Sequence, residues 1–200
     1  MATKRFPVTF LVAVMLAATV GWLHPAQATD TSGAILLVAK RPLIDPIYRS
    51  TVLLARPIGD DQHIGLILNR PSKVTLGQLF PEHKPSQLVK EPVFMGGPTN
   101  TSVIFALVQR HDGFAGKSLQ LMPDVFMVFE GSAVDRVIES DGKARYLAGL
   151  VAWQPGELRE EVKRGLWFTM EPDPAIVLRK STDGLWEELI RRAELAANAI

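Results

Sequence analysis

The chain of 200 residues contains no cysteine, and this absence excludes several kinds of chemistry at once. Without a thiol there is no disulfide, no thiolate metal site, no iron–sulfur cluster and no cysteine nucleophile. The mature segment also lacks long apolar runs, low-complexity tracts and blocks of like charge. The fold must therefore be stabilised by the packing of apolar residues, which make up 47% of the chain.

Histidine is scarce as well. Beyond the N-terminal segment the chain has only His63, His83 and His111, and none of them lies three to five residues from another, the usual spacing of zinc ligands. There is no Gly-x-Ser-x-Gly elbow, and the glycines of Gly96-Gly97-Pro98 lack the lysine of a P-loop. We therefore expect no metal site and no cofactor.

Residues 1–28 have the pattern of a cleavable export signal. Lys4 and Arg5 form a basic start, residues 8–23 carry no charge, and Ala26-Gln27-Ala28 provides a small-x-small cleavage site before Thr29. A retained membrane anchor is the alternative, but the apolar core is shorter than the roughly 20 residues that a spanning helix needs. The pattern predicts a protein that is periplasmic or secreted.

Residues 29–200 have the length of a single domain. Removal of residues 1–28 takes Lys4 and Arg5 out of the 22 basic residues and none out of the 21 acidic ones, which leaves a net charge of −1. A nearly neutral protein has no overall field that would attract nucleic acid or anionic lipid. We expect a monomer or weak oligomer that does not associate with a membrane after cleavage, and whose partner is a small molecule or another protein.

Short apolar segments that alternate with turn residues predict a β-rich domain of the α+β class, because strands do not alternate regularly with long helices. Gly65 within a strand indicates either a close approach of another group to the backbone or a β-bulge. Helices are predicted over residues 74–79, after a Ser132–Asp135 capping pair, after Pro155 and after Asp183. Strands are predicted over 33–39, 50–55, 63–69, 93–95, 103–108, 118–121, 125–129, 146–153 and 166–170.

The polar residues at the ends of the first strands form a candidate site. They allow two interpretations. In the first, Asp45 caps a turn and pairs with Arg49, while Asn69 and Arg70 satisfy loop carbonyls. In the second, the arginines and the amide converge on a pocket and bind a carboxylate or phosphate, for which a planar guanidinium is suited. Candidate residues of this pocket are Asp45, Arg49, Ser50, Asn69, Arg70, Gly96, Gly97 and Trp153.

The glycine and tryptophan members of this set have structural interpretations too. Gly96-Gly97-Pro98 is more often a backbone device than a ligand contact, because glycine allows close approach and proline ends a strand. Trp153, Trp167 and Trp186 lie in apolar contexts without interleaved basic residues, which favours core or pocket-wall positions over a stacking surface.

A hydrolytic site is a further hypothesis. Ser50 would act as the nucleophile, with His63 as its base and Asp45 as the orienting carboxylate. The three residue types alone are a weak signal, since many chains carry them near paired strands. The hypothesis requires the Ser50 hydroxyl to lie within hydrogen-bond reach of His63.

Several segments in order resemble the AlgH/YqgE family of uncharacterised bacterial proteins, over a region from about Gly33 to Ala193. The matching segments are Leu43-Ile44-Asp45-Pro46-Ile47-Tyr48-Arg49-Ser50 with Val52-Leu53-Leu54, Gly65-Leu66-Ile67-Leu68-Asn69-Arg70-Pro71, Val93-Phe94-Met95-Gly96-Gly97-Pro98, and Trp153 with Pro155-Gly156-Glu157-Leu158 and Trp167.

The resemblance implies a single α+β domain with a mixed, largely antiparallel, bifurcated sheet folded into a pseudo-barrel and flanked by short helices. It implies no established activity, although some members are called regulators of alginate synthesis or transcription. This chain departs from the family pattern where Ala55-Arg56-Pro57 replaces a glutamate-histidine-asparagine run, and where Gly149-Leu150-Val151-Ala152 replaces a glycine-tyrosine-alanine-glycine stretch. Its export signal is a third departure, since family members usually begin near the first strand.

Together these features predict an exported, non-enzymatic protein that binds a small ligand or serves as an accessory factor. A small-molecule enzyme, hydrolytic in type and using the same pocket, is the alternative. A transcriptional regulator, suggested by the family label, is the third hypothesis, and export disfavours it most.

Overall fold

The computed structural model describes residues 33–112, 117–140 and 144–199. The predicted signal at residues 1–28 lies outside them. Alternating apolar segments form ten strands of one sheet, and each predicted strand is present, with some shifts at the ends. The strands are β1 (Ile35–Ala39), β2 (Val52–Gly59), β3 (Gln62–Ile67), β4 (Pro71–Thr75), β5 (Pro92–Met95), β6 (Thr99–Gln109), β7 (Ser118–Met122), β8 (Val125–Val128), β9 (Arg145–Trp153) and β10 (Trp167–Met170).

The strand order is β10-β1-β2-β3-β9-β6-β8-β7, with β4 beside β5. Strand β9 is the branch point of this sheet. One of its edges is shared by β3, which pairs with residues 151–153, and by β5, which pairs with Leu147 and Ala148. Its other edge pairs with β6. Of the described strand pairs only β5–β9 is parallel. The curled, mixed and largely antiparallel sheet confirms the predicted α+β class and its bifurcated form.

Helices flank the sheet and are mostly short. A 3₁₀ helix covers Lys84–Leu88, within a segment that the sequence suggested only as a loop. The longest helix, α5, has apolar residues on one face, and its Leu185, Leu189 and Ile190 are buried in the main core cluster with residues of β1 and β2. The α-helices are α1 (Leu76–Leu79), α2 (Gly131–Glu139), α3 (Glu157–Lys163), α4 (Pro174–Val177) and α5 (Leu185–Asn198).

Helix boundaries differ from the sequence predictions in several places. Residues 74–75 belong to strand β4, so α1 begins only at Leu76. Helix α2 begins one residue before Ser132, with Glu130 at the N-cap position, so Ser132 lies inside the helix. Helix α5 is preceded by Gly184, at φ +70°, and not by Asp183. The short helix α4 was not predicted; it begins at a proline, and the Asp173 carboxylate caps it by accepting from Ala175 N at 2.8 Å.

Among the described residues, no helix is both long enough and apolar enough to cross a bilayer.

Candidate functional site

The segment between β1 and β2 contains a tight turn over residues 45–50. Oδ1 of Asp45 accepts hydrogen bonds from Ile47 N at 2.8 Å and from Tyr48 N at 3.2 Å. The carbonyl of Asp45 accepts from Arg49 N at 2.8 Å. The turn ends at Ser50, whose φ of +55° lies in the left-handed region that non-glycine residues rarely adopt. Asp45 therefore caps this turn, as the structural interpretation predicts.

The side chains that follow β3 fasten this turn to the sheet. Oδ1 of Asn69 accepts from the buried Val52 N at 2.8 Å, and its Nδ2 donates to the Ser50 carbonyl at 2.9 Å. Nη2 of Arg70 donates to the Arg49 carbonyl at 2.8 Å. Asn69 and Arg70 thus satisfy loop groups. The expected Asp45–Arg49 side-chain pair is not among the ion pairs of the described residues.

Gly96 and Gly97 contact the backbone of β9 directly. A Cβ on Gly96 would lie 2.3 Å from the Gly149 carbonyl oxygen, and one on Gly97 would lie 2.2 Å from the carbonyl carbon of Leu150. The Gly96 carbonyl also accepts from Ile67 N at 2.8 Å. No side chain fits between these backbones, so close packing is sufficient to explain both glycines.

A cavity of about 270 Å³ lies between the turn and the Gly96–Gly97 segment. We call it the turn pocket. Most of its lining residues are apolar, Arg70 and Thr101 are the polar ones, and Ile47 and Met95 are 44% and 46% exposed. The lining residues are Pro46, Ile47, Ile67, Arg70, Met95, Gly97, Pro98 and Thr101. Arg49 and Ser50 line a separate cavity of about 250 Å³ on the other side of the turn.

Two arginines lie at or beside the turn, Arg49 within it and Arg70 bonded to its Arg49 carbonyl. Within the described residues neither Arg49 nor Arg70 makes an ion pair. Burial, and then the nearby charge of Arg49, lower the pKa of Arg70. Two guanidinium groups close to each other and to an apolar pocket can bind an anion, because a carboxylate or phosphate would relieve their repulsion.

Trp153 lies elsewhere. It pairs with His63 at the far end of β3 and is 4% exposed in a core cluster with Leu37, Leu53 and Trp167. Its Nε1 donates to Oε2 of Glu161 at 3.1 Å, and that same oxygen accepts from Trp167 Nε1 at 2.8 Å. The structure therefore brings seven of the eight candidate residues to the turn and its two cavities and assigns Trp153 to the core.

The Ser50–His63–Asp45 site is not assembled. Ser50 precedes the first residue of β2, whereas His63 pairs with Pro57 near the other end of that strand. A strand rises about 3.3 Å per residue, so Val52 and Pro57 are roughly 17 Å apart. That separation exceeds hydrogen-bond reach, and this version of the hydrolase hypothesis is wrong. Among the described residues, no group of three or more His, Asp or Glu side chains could hold a metal ion.

One buried charge was missed by the sequence analysis. Arg145 follows Lys143 and Ala144 at the start of a strand, where a basic residue is usually a solvated flank. In the structure it is only 3% exposed and lines a cavity of about 470 Å³. A basic residue directly before an apolar run gives no sign of burial, so sequence alone had no signal for it.

The sequence of this chain matches a known protein family over most of its length. The AlgH-like family, DUF179, matches residues 36–198. The chain belongs to this family. A UPF0301 protein of Thermobifida fusca is 32% identical over 169 residues, covering 78% of this chain and 84% of its own length. UPF0301 protein SCO2948 of Streptomyces coelicolor is 29% identical over 164 residues, with the same shares covered.

Two solved structures have the same fold. The solution structure of the AlgH protein from Pseudomonas aeruginosa has a TM-score of 0.67 at 22% identity and covers 84% of this chain and 92% of its own. The crystal structure of protein DIP2367 from Corynebacterium diphtheriae has a TM-score of 0.64 at 24% identity, covering 79% and 85%. These likenesses identify the fold. The names of these relatives state no activity, so the chemistry must be argued from the residues of this chain.

Proposed function

We propose that this AlgH-like protein is an exported, non-enzymatic binding protein whose turn pocket holds a small molecule with an apolar body and a carboxylate group. The observation that carries this proposal is Arg70 in the lining of a mostly apolar pocket, beside Arg49 of the turn, which makes no ion pair within the described residues. An apolar wall with one convergent charged group is the usual composition of a small-molecule site.

The pocket limits the size of its ligand. A volume of about 270 Å³ is slightly below the usual range of about 300–1,000 Å³ for small-molecule pockets. We therefore expect a short aliphatic or aromatic acid, with its carbon body against Ile47 and Met95 and its carboxylate at Arg70. Binding would cover two apolar side chains that are now partly exposed.

Binding is favoured over catalysis by what surrounds the pocket. Its lining has no carboxylate and no histidine that could move a proton, and the Ser50 hydroxyl is not paired with His63. The near-neutral mature charge also disfavours the regulator hypothesis, because DNA binding draws on clustered positive charge. We propose that the protein acts as a monomer or weak oligomer.

Calorimetric titration with hexanoate, and with hexanol as the uncharged counterpart, tests the ligand assignment. We expect hexanoate to bind and Arg70→Gln to weaken that binding by about 10- to 150-fold, because one charge-assisted hydrogen bond contributes about 1.5–3 kcal/mol. Arg191→Gln, which removes one exposed charge from α5, is the matched control and should bind as the parent does. Equal hexanoate binding by Arg70→Gln, or binding of hexanol as tight as that of hexanoate, would refute the proposal.

Export is tested separately, by mass spectrometry of fractionated cells. We expect the mature protein in the periplasmic or extracellular fraction with Thr29 as its first residue, because Ala26-Gln27-Ala28 precedes it. Intact Met1 in the cytosolic fraction would show that the chain is not exported.

A further inference from the structure

Arg145 is a buried cation that has no anionic partner among the described residues. It begins β9 and is 3% exposed. Its Nη1 donates to the Val177 carbonyl at 2.6 Å and its Nη2 to the Leu68 carbonyl at 2.5 Å, while its buried Nε has no acceptor. The Phe94 ring lies 4.3 Å from the guanidinium carbon. No ion pair within the described residues includes Arg145.

The two carbonyl hydrogen bonds explain why a donor is here, but they do not explain a full charge. A neutral amide side chain could donate to the same carbonyls, whereas a buried charge costs free energy unless an opposite charge compensates it. Burial lowers the pKa of Arg145 to about 10, so the group still carries its proton at neutral pH. The protein therefore maintains a positive charge in its interior that its own described residues leave unneutralised.

This charge lies at a cavity of about 470 Å³, between the end of β6, the end of α2 and the segment after α4. Three more basic side chains line the cavity, and two of them already have partners. His111 contacts Asp124 at 2.9 Å, and Lys180 pairs with Glu91. Arg110 makes no ion pair within the described residues. No acidic side chain is among the described lining residues, so within that part of the chain Arg110 and Arg145 are two positive charges without an acidic partner at this cavity.

We propose that this cavity, which we call the Arg145 cavity, binds a small molecule that carries a doubly charged oxyanion such as a phosphate. The oxyanion would face Arg110 and Lys180, with the charge of Arg145 beneath it, and Ser140 and Gln109 line the same space as polar neighbours. The volume exceeds that of a bare phosphate and falls within the range of small-molecule sites, so an organic body fits against Val137 and Leu178. This site is separate from the turn pocket, and the inference does not depend on the function proposed for that pocket.

Calorimetry with inorganic phosphate and pyrophosphate at low ionic strength tests the inference. We expect both anions to bind, and Arg110→Gln to weaken pyrophosphate binding about tenfold through the loss of one charge-assisted contact. Lys73→Gln removes one charge from the exposed strand β4 and should leave the affinity unchanged. Equal affinities of Arg110→Gln and Lys73→Gln, or no heat of binding up to millimolar pyrophosphate, would overturn the inference.

Arg145 is tested with a second readout, because its substitution also removes two hydrogen bonds inside the fold. We expect pyrophosphate to raise the melting temperature of the parent and of Lys73→Gln, and to leave that of Arg145→Met unchanged. If Arg145→Met does not fold, the Arg110→Gln affinity decides the question alone. Arg70→Gln separates the two sites, since it should weaken hexanoate binding and leave pyrophosphate binding unchanged.

Discussion

The ring of Trp153 lies directly over Gly65. A Cβ built on Gly65 would come within 2.6 Å of that ring, which is closer than any real packing contact. The two residues belong to neighbouring strands, where Gly65 pairs with Val151 and His63 with Trp153, so the ring crosses diagonally over the glycine. The strand glycine thus marks a close approach, as its position in an apolar segment predicted.

Gly65→Ala should destabilise the protein by about 1–3 kcal/mol, because a methyl group overpacks a ring that cannot move away. Gly131→Ala is the matched control: a Cβ there meets nothing within 4 Å, and the residue begins helix α2. It should be neutral or slightly stabilising. Chemical denaturation of both variants measures the difference, and an unchanged midpoint for Gly65→Ala would contradict the contact.

Asn69→Ala should lower the free energy of unfolding by about 1–3 kcal/mol, since it leaves the buried Val52 N–H without its acceptor. Arg49→Ala should change stability by less than about 0.5 kcal/mol, because its side chain is exposed and makes no ion pair with any residue that the structure describes. Urea unfolding of the two variants provides the comparison. Equal losses for both would mean that the Arg49 side chain also stabilises the turn.

Glu161→Ala should cost about 2 kcal/mol, because it leaves the indole N–H groups of both Trp153 and Trp167 without an acceptor. Glu161→Gln should cost less, since its amide oxygen can still accept. Tryptophan fluorescence during unfolding follows both variants. Glu160→Ala, which removes an exposed neighbouring carboxylate, should leave the fluorescence of the folded protein unchanged.

The chain has two tyrosines, so a single substitution isolates each phenol. Burial, and then the charge of Glu91, raise the pKa of Tyr146 from its ordinary value of 10.0 to about 12. In Tyr48→Phe the remaining tyrosinate absorbance should therefore rise near pH 12. Titration near pH 10 in the folded protein would show that Tyr146 is not shielded from solvent.

The same pKa shift makes stability depend on pH. Between pH 10 and 12 the unfolded chain loses the Tyr146 proton while the folded chain keeps it, so stability falls as the pH rises through this window. The loss should reach about 2 kcal/mol by pH 12. Tyr146→Phe should lack this contribution. Chemical denaturation of the parent and of Tyr146→Phe measures the difference in stability, and contributions of other titrating groups cancel in it. One of these groups is Arg145, whose lowered pKa makes stability rise with pH.

Local patterns predicted most of the strands, because apolar alternation and turn residues are read from neighbouring positions. The cap at Asp45 and the close approach at Gly65 were predictable for the same reason. Asn69 is a different case. Its two hydrogen bonds join segments that only the β2–β3 register brings together, so the sequence could suggest two interpretations and choose neither.

Burial of single polar residues was the least predictable feature. Arg145 begins strand β9 and is an interior cation. Trp153 ends the same strand, and its indole N–H donates to Glu161 of helix α3. The partners of Arg145 are the Val177 and Leu68 carbonyls, which lie far from it along the chain. The partner of Trp153 lies on a helix whose packing angle no local pattern specifies. The structure groups most candidate residues around the turn, and it buries Trp153 in the core, the position that its apolar context favoured.

The sheet can be completed only after strand β9 has been synthesised. The first three strands and the β6–β8 segment emerge early from the ribosome, but β9, which joins them along both of its edges, is made only at residues 145–153. The partner of β1, strand β10, follows later still. Until β9 forms, β3 and β6 each present an edge that β9 covers in the finished sheet, and open edges of this kind favour edge-to-edge association.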